Sequence, residues 1–247
     1  MTKIKNVPFE FKNEVTNNAQ VLTLSGVIQK RYWSDDKYID AKLVREALDG
    51  VNNDIHIKLN SPGGDVFQGV EIYNYLKDHS SNITVEVMGN AASAATFICA
   101  GADKVIMNVG TSFMIHEAET VGWGNKKDIQ KTLQALETID KSILSIYSER
   151  TGQSEEQLTE WIDAAKWFTA QETVDYGFAD EIKTTKKEDE SIEDIVNAQV
   201  AKAMASFFDS KNQTEPVNIE KETGIKGSKL VSQKQTKSLI NRLRKGE

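Results

Sequence analysis

The stretch DIHIKLNSPGGDVFQGV at residues 54–70 decides the fold class. Apolar and polar residues alternate over 54–59, which is the pattern of a β-strand with one buried face. The strand runs directly into the turn NSPGGD at 60–65, where proline stops the strand and two glycines allow backbone angles closed to other residues. Apolar residues with helical spacing start at Val66. The segment therefore predicts a strand, a tight turn and a helix.

The same strand-to-helix unit recurs along the chain. Strands that alternate with helices pair in parallel through right-handed crossovers, so the sequence predicts an α/β fold. The predicted strands are 19–28, 54–59, 83–88, 104–107 and 112–115, and the predicted helices, besides the one from Val66, are 40–48, 91–100 and 126–150.

Composition divides the chain into an N-terminal segment at 1–18, a folded domain at 19–182 and a C-terminal extension at 183–247. Residues 1–182 carry 17 basic and 27 acidic side chains, whereas the extension carries 13 basic and 10 acidic ones. Within the extension, only 192–208 has the apolar spacing of an amphipathic helix. The rest is too polar to offset the entropy of the chain, so we expect it to be flexible.

The composition argues against several classes of function. The acidic domain lacks basic stretches interleaved with aromatic residues, which makes a nucleic-acid surface there unexpected. The single cysteine, Cys99, leaves no disulfide framework and no zinc cluster, and no Walker, GxGxxG or HExxH motif is present. The N-terminus has no apolar signal sequence, and no segment has the roughly 18 apolar residues of a membrane helix. We expect a cytoplasmic protein with no cofactor, no metal and no membrane contact.

Three histidines are available to any mechanism that needs one. His56 alternates with the isoleucines of its strand, and His79 lies at the end of a helix, where an imidazolium interacts favourably with the helix dipole. Structural roles account for both. His116 instead follows a buried-looking strand at the edge of a parallel sheet, where side chains meet ligands. If it stood alone, His116 would be interpreted as a hydrogen-bonded surface residue. Two turns, however, offer a nucleophile and N–H donors that could act together with a general base.

The first of these turns holds Ser93, in the sequence GNAASAA at 89–95. Its neighbours have almost no side chain, so a substrate backbone can approach the hydroxyl. Small residues also permit tight helix packing, and for this segment alone that second interpretation stays open. The other turn, at 61–64, also follows a strand, so the two turns can contribute N–H donors to one oxyanion hole.

Five motifs in this order make the chain resemble the proteolytic subunit of Clp protease. The resemblance spans about 19–182 and implies a Clp-protease or crotonase-like βα spiral fold. It also implies that the helix at 126–150 is the handle through which subunits interlock into a homo-oligomeric ring. The motifs are NSPGGDV, MGNAASAATFICAGA, FMIHEA, YSERTGQSEEQL and FTAQETVDYGFAD.

The resemblance also assigns roles to individual residues. It implies Ser93 as the nucleophile and His116 as the general base. It implies an oxyanion hole made by the backbone amides of Gly63 and Ala94. The expected activity is hydrolysis of peptide bonds in protein substrates through an acyl-enzyme.

The third member of the catalytic triad departs from the family pattern. The family's acid falls two residues before the aromatic residue that here is Trp167, and this chain has Ala165 at that position. Asp163 lies two residues earlier and is the candidate acid, although its spacing differs from the pattern. A dyad, or an acid from elsewhere in the chain, stays open.

Among Clp-like proteins, the chain most resembles the head-maturation proteases of tailed bacteriophages. It has their divergent EAETVGWGN region at 117–125 and a charged extension of 65 residues. This resemblance implies scaffold or capsid proteins as substrates, in proheads that assemble in the host cytoplasm. Three alternatives remain: a housekeeping Clp-type peptidase core fed by an ATPase, an acyl-CoA hydratase or isomerase that would not need Ser93, and a catalytically inactive ring-forming homologue.

Overall fold

The computed structural model describes residues 7–33 and 35–183, and strands alternate with helices as the α/β prediction requires. The predicted helix at 192–208 and nearly all of the extension lie outside the described residues. The strands are β1 (Glu10–Thr16), β2 (Ala19–Ser25), β3 (Ile55–Ser61), β4 (Ile83–Ala92), β5 (Lys104–Asn108), β6 (Ser112–Met114), β7 (Trp167–Thr169) and β8 (Glu181–Lys183). The helices are α1 (Ala41–Leu48), α2 (Val66–Lys77), α3 (Ala95–Ala100), α4 (Lys126–Thr151), α5 (Glu155–Asp163) and α6 (Ala170–Asp175).

The strands form one mixed sheet in the order β1-β2-β3-β4-β5-β8. The pairs from β2 to β8 are parallel, and β1 is added to β2 in antiparallel orientation. Beyond its contact with β5, β4 pairs in parallel with β6, which in turn pairs antiparallel with β7. The carboxyl ends of β3, β4 and β6 therefore meet at one edge of the sheet.

The core packs on the face of the sheet to which every second residue of β3 points. Along β3, buried and partly exposed residues alternate, and Ile55, Ile57 and Leu59 are at most 1% exposed. Burying one such side chain stabilises the fold by about 1.5–3 kcal/mol. Within the same core, a group of aromatic rings in mutual contact fixes β6 and β7 against the last helices. Its members include Phe113, Tyr147, Trp161, Phe168 and Phe178.

Two elements differ from the sequence-based expectation. The N-terminal segment at 1–18 contains β1, which could not be predicted because almost all of its side chains are exposed. It is an edge strand that pairing with β2, rather than burial, holds in place. Strand β4 continues to Ala92, although a turn at 89–90 and a helix from 91 were expected. The small residues of this extension lie between two neighbouring strands, since Ala91 pairs with both Ser61 and Phe113.

His56 belongs to a polar network centred on the buried carboxylate of Glu86 in β4. Its Nε2 lies 2.8 Å from Oε2 of Glu86, whose side chain is 3% exposed. Lys183 and Asn108 donate to the other carboxylate oxygen at 2.8 and 2.9 Å. Burial by itself raises the pKa of Glu86, but the hydrogen bonds from Lys183, Asn108 and His56 outweigh it and lower the pKa to about 2. The contact between Lys183 and Glu86 ties β8 to the sheet. His79, the other histidine with a structural role, has its Nε2 3.3 Å from the carbonyl oxygen of Leu48.

The long helix α4 begins at a capping box formed by Asn125 and Asp128 and ends at Gly152, whose φ is +67°. Its C-terminal half packs into the core. Its N-terminal half leaves Ile129 and Leu133 45% and 56% exposed. No helix in the described part of the chain, α4 included, has the length and apolar character to cross a membrane.

Candidate active site

The serine and histidine singled out in the sequence lie in contact. His116 Nε2 is 2.8 Å from Ser93 Oγ. Ser93 directly follows β4 and His116 follows the paired strand β6, so the sheet itself brings the two side chains together. The imidazole is 19% exposed. With its proton on Nδ1, the ring has a free lone pair on Nε2 to accept the serine proton.

The backbone of Ser93 adopts the left-handed region, with φ of +54°. This conformation costs a residue with a side chain of the order of 1–3 kcal/mol, so the surrounding contacts must hold it. The Ser93 N–H donates to the carbonyl of Met114 at 2.8 Å, and Thr96 Oγ1 donates to the Ser93 carbonyl at 2.6 Å. The hydroxyl of Tyr147 lies 2.6 Å from Thr96 Oγ1. Since the one hydroxyl proton of Thr96 goes to the Ser93 carbonyl, the Tyr147 hydroxyl is the donor to Thr96 Oγ1. Burial raises the pKa of Tyr147 above its ordinary value.

The two turns place free amide donors beside Ser93, but not at both of the predicted positions. Ala94 lines the cleft, and its N–H forms no hydrogen bond within the described residues. Gly63 is buried and its N–H donates to Ser61 Oγ at 3.1 Å. Gly64 is exposed, lines the cleft and, within the same residues, has no acceptor for its N–H. The geometry favours Gly64 over the predicted Gly63 as the second donor.

Gly63 has a different role, because it lets the two turns approach each other. A Cβ atom at this position would lie 2.4 Å from the carbonyl oxygen of Ala92 and 2.7 Å from Ser93 Cβ. The φ of Gly63 is +86°, which also disfavours a side chain. Gly64 is equally restricted, since its Cβ would lie 2.0 Å from the Ile28 carbonyl oxygen.

A cleft of about 740 Å³ opens over Ser93. The inner face of α4 forms one wall, and the turn at 62–67 contributes to the lining. Apolar side chains dominate the part beside α4, so the cleft can take an apolar side chain of a substrate next to the nucleophile. The apolar side chains that line this part of the cleft are Phe97, Leu136, Ile139, Ile143 and Tyr147.

The acid next to His116 is Glu119 and not Asp163. Glu119 Oε1 lies 3.5 Å from His116 Nδ1. Asp163 is the exposed last residue of α5 and lines a separate hollow with Asp140 and Lys141. Among the described residues, neither a hydrogen bond nor an ion pair joins Asp163 to His116. Glu119 could have been found in the sequence, because it is an acid only three residues after His116.

Ala165 lies where the pairing of β6 with β7 would bring an acid close to the histidine. The observed register ends at Met114 with Trp167, and beyond it the Ile115 N–H donates to the Lys166 carbonyl at 3.2 Å. One more step of the same register would set His116 opposite Ala165. The alanine has a φ of +47°, an uncommon value for this residue type. The continuation of this register therefore offers His116 an alanine and no acid.

No group of three histidine, cysteine, aspartate or glutamate side chains in the described ranges is arranged to hold a metal ion. Cys99 is buried in α3, and burial raises the pKa of its thiol to about 12. A thiol of that kind stays protonated near neutral pH and is a poor nucleophile. Ser93 is thus the residue in this region whose hydroxyl meets a base.

Comparison with known proteins shows the family of the chain. The Clp protease family model matches residues 15–186. The chain belongs to the Clp protease family. It has the βα fold of that family, and its Clp-type relatives indicate a peptidase.

Curated relatives of the Clp family match a large part of the described domain. The ATP-dependent Clp protease proteolytic subunit of Chlorella vulgaris is 33% identical over 138 residues, which cover 55% of this chain and 69% of the relative. Proteolytic subunit 1 of Leifsonia xyli subsp. xyli is 31% identical over 147 residues, covering 59% and 75%. Proteolytic subunit 1 of Corynebacterium jeikeium is 31% identical over 150 residues, covering 60% and 80%.

Proposed function

We propose that this Clp-family chain is a serine endopeptidase that acts through an acyl-enzyme. The observation that carries this proposal is the 2.8 Å contact between Ser93 Oγ and His116 Nε2, at the mouth of an apolar cleft. A nucleophile and base in contact, beside unpaired amide donors, are the groups that acyl transfer requires.

The reaction follows from the positions of these groups. His116 Nε2 takes the hydroxyl proton as Ser93 Oγ attacks the scissile carbonyl carbon. The negative charge that develops on the carbonyl oxygen is stabilised by the N–H groups of Gly64 and Ala94. His116 then returns the proton to the leaving amine, the C–N bond breaks and an ester to Ser93 remains. Water, activated by His116, hydrolyses this ester and regenerates the serine.

The lining of the cleft indicates which peptides react fastest. We expect the full chain to cleave chromogenic peptide amides with Leu or Phe before the scissile bond at least about tenfold faster, in kcat/KM, than peptides with Asp there. The physical reason is that α4 offers an apolar surface, which cannot solvate a buried carboxylate. Peptide esters should show a burst of the first product that equals the enzyme concentration. Failure to cleave any amide or ester in either series would contradict the proposal.

The biological role that we propose is the processing of scaffold or capsid proteins during phage head maturation. The departure at Ala165 and the 65-residue charged extension favour it. A housekeeping peptidase core fits equally well with relatives whose names are ATP-dependent Clp protease proteolytic subunits. Mass spectrometry of the chain co-expressed with its neighbouring gene products distinguishes the two, since only the phage role predicts cleavage of structural proteins without an ATPase.

Two further alternatives have less support. An acyl-CoA hydratase or isomerase would use two amides on a thioester enolate and would have no need for the contact between Ser93 and His116. A catalytically inactive structural homologue is favoured only by the missing acid at Ala165. A strained serine that still contacts a histidine is a feature that an inactive subunit does not require.

We also propose that the chains assemble into a homo-oligomeric ring through α4. Ile129 and Leu133 expose apolar surface on this helix, and Val121 and Trp123 in the preceding loop are both 93% exposed. Exposed apolar surface of this extent is typical of protein–protein contacts. Ile143, by contrast, is 3% exposed and supports the monomer's own core.

Replacing Ile129 and Leu133 together by glutamate is expected to give smaller particles, because two charges would enter an apolar contact. The measurement is the mass from multi-angle light scattering. A matched control adds the same charges at the exposed polar positions Gln130 and Gln134 and should keep the wild-type mass. Equal masses for wild type and both double variants would contradict assembly through this face.

A further inference from the structure

We propose that Glu119 is the residue that positions His116, in place of an acid on the strand opposite. This inference rests on the proposed serine mechanism and extends it. The contact that carries it joins Glu119 Oε1 to His116 Nδ1 at 3.5 Å, while Nε2 of the same ring faces Ser93 at 2.8 Å. One ring nitrogen therefore faces the nucleophile, and the other faces a carboxylate that can orient the ring and stabilise its positive charge.

The distance suits a carboxylate that closes on the ring during reaction. At 3.5 Å the pair lies within ion-pair range but beyond the usual 2.7–3.2 Å of a hydrogen bond. The ring becomes positively charged when it takes the Ser93 proton, and Coulomb attraction to Glu119 rises at that moment. Hydrogen bonds of this kind are often long in the free enzyme and tighten in the complex.

The loop that carries Glu119 is anchored independently of the histidine. The N–H of Ala118 donates to Asp140 Oδ1 on α4 at 2.8 Å. This hydrogen bond to the middle of α4 thus fixes the backbone between His116 and Glu119. Because the carboxylate is 51% exposed, water screens part of its charge, and its effect must be smaller than that of a buried acid.

The segment before β7 has alanine where an acid could orient His116, so that an acid on the loop after His116 would have to take this role. Continuing the β6–β7 register sets Ala165 opposite His116, where its side chain offers no polar atom, and Asp163 lies in the hollow beside Asp140. Among the described residues, Glu119 is the acid within 4 Å of the His116 ring nitrogens. The positioning role therefore falls to a residue on the histidine's own loop.

The test compares charge-neutralised variants of the full chain in peptide ester hydrolysis. We expect Glu119→Gln to lower kcat about 10- to 100-fold with little change in KM, because the carboxylate acts on the reacting histidine and not on the bound substrate. Glu137→Gln is the matched control, since Glu137 is an exposed acid outside the cleft and, among the described residues, has no ion pair with His116. It should retain wild-type kcat.

Three further readouts separate positioning from a merely structural role. The loss caused by Glu119→Gln should shrink as salt rises from about 0.01 to about 1 M, because the interaction is partly exposed. Glu119→Asp should recover part of the rate. Ala165→Asp, which puts a carboxylate opposite His116 at a backbone angle that aspartate tolerates, should recover part of it in the Glu119→Gln background.

Each outcome bears on one claim. If Ser93→Ala is inactive but Glu119→Gln and Glu137→Gln have equal kcat, the positioning role is overturned and the serine mechanism stands. If Asp163→Asn lowers kcat more than Glu119→Gln does, the acid is Asp163. If Ser93→Ala hydrolyses the ester at the wild-type rate, the serine mechanism itself is wrong.

Discussion

Replacing Ser93 by alanine is expected to lower kcat for peptide hydrolysis by about 10⁶-fold while leaving the fold intact. The change removes one hydroxyl from a turn that already consists of alanine and glycine, so packing is hardly altered. His116→Ala should be as inactive, because nucleophile and base act as a unit and the loss of either removes the same step. Steady-state kinetics on a peptide amide measures both effects.

The double variant provides the control for this prediction. If Ser93 and His116 act together, combining the two substitutions should cost no more than either alone. Thermal unfolding of all three proteins should show midpoints near that of the wild type. Losses that multiply in the double variant would mean that the two residues serve different steps.

Replacing Gly63 by alanine is expected to lower both stability and activity severely. The new Cβ would lie 2.4 Å from the Ala92 carbonyl oxygen, a contact that real side chains do not make, so the two turns must separate. Overpacking of this kind costs about 1–3 kcal/mol, in addition to the penalty of the left-handed backbone. A displacement of the Ser93 turn by about 1 Å should lower kcat about 100-fold.

Gly50→Ala separates these two effects. Gly50 has a φ of +78°, close to that of Gly63, but a Cβ there would meet no atom within 4 Å. It should therefore carry only the backbone penalty of about 1–2 kcal/mol and keep wild-type kcat. Urea unfolding and peptide kinetics of both variants give the comparison. Similar losses for the two variants would show that the approach of the turns does not depend on Gly63.

Much of the fold follows from local patterns in the sequence. The alternation over 54–59 and the helical spacing from Val66 predicted elements that the structure contains, because these patterns report local burial. Strand β1 could not be predicted in the same way, since it is held by pairing with a distant strand. The extension of β4 through Ala92 also depends on its partners on both sides.

The candidate site shows a similar division. Ser93 could be singled out because its neighbours have almost no side chain, and His116 because it directly follows a predicted strand; the pairing of β4 with β6 then brings them into contact. Which glycine of the turn offers its N–H could not be predicted, because the Ser61 side chain decides it by accepting from Gly63. The choice between Asp163 and Glu119 likewise depends on the directions in which a helix end and a loop present their side chains.

The most direct test of Ser93 as an activated nucleophile is the reaction of the full chain with a fluorophosphonate. Attack by Ser93 Oγ forms an O–P bond, expels fluoride and passes the hydroxyl proton to His116. We expect one adduct per chain, mapped by mass spectrometry to the peptide that contains Ser93, and no adduct with Ser93→Ala or His116→Ala. An unmodified wild-type chain, or an adduct that persists in Ser93→Ala, would contradict the account.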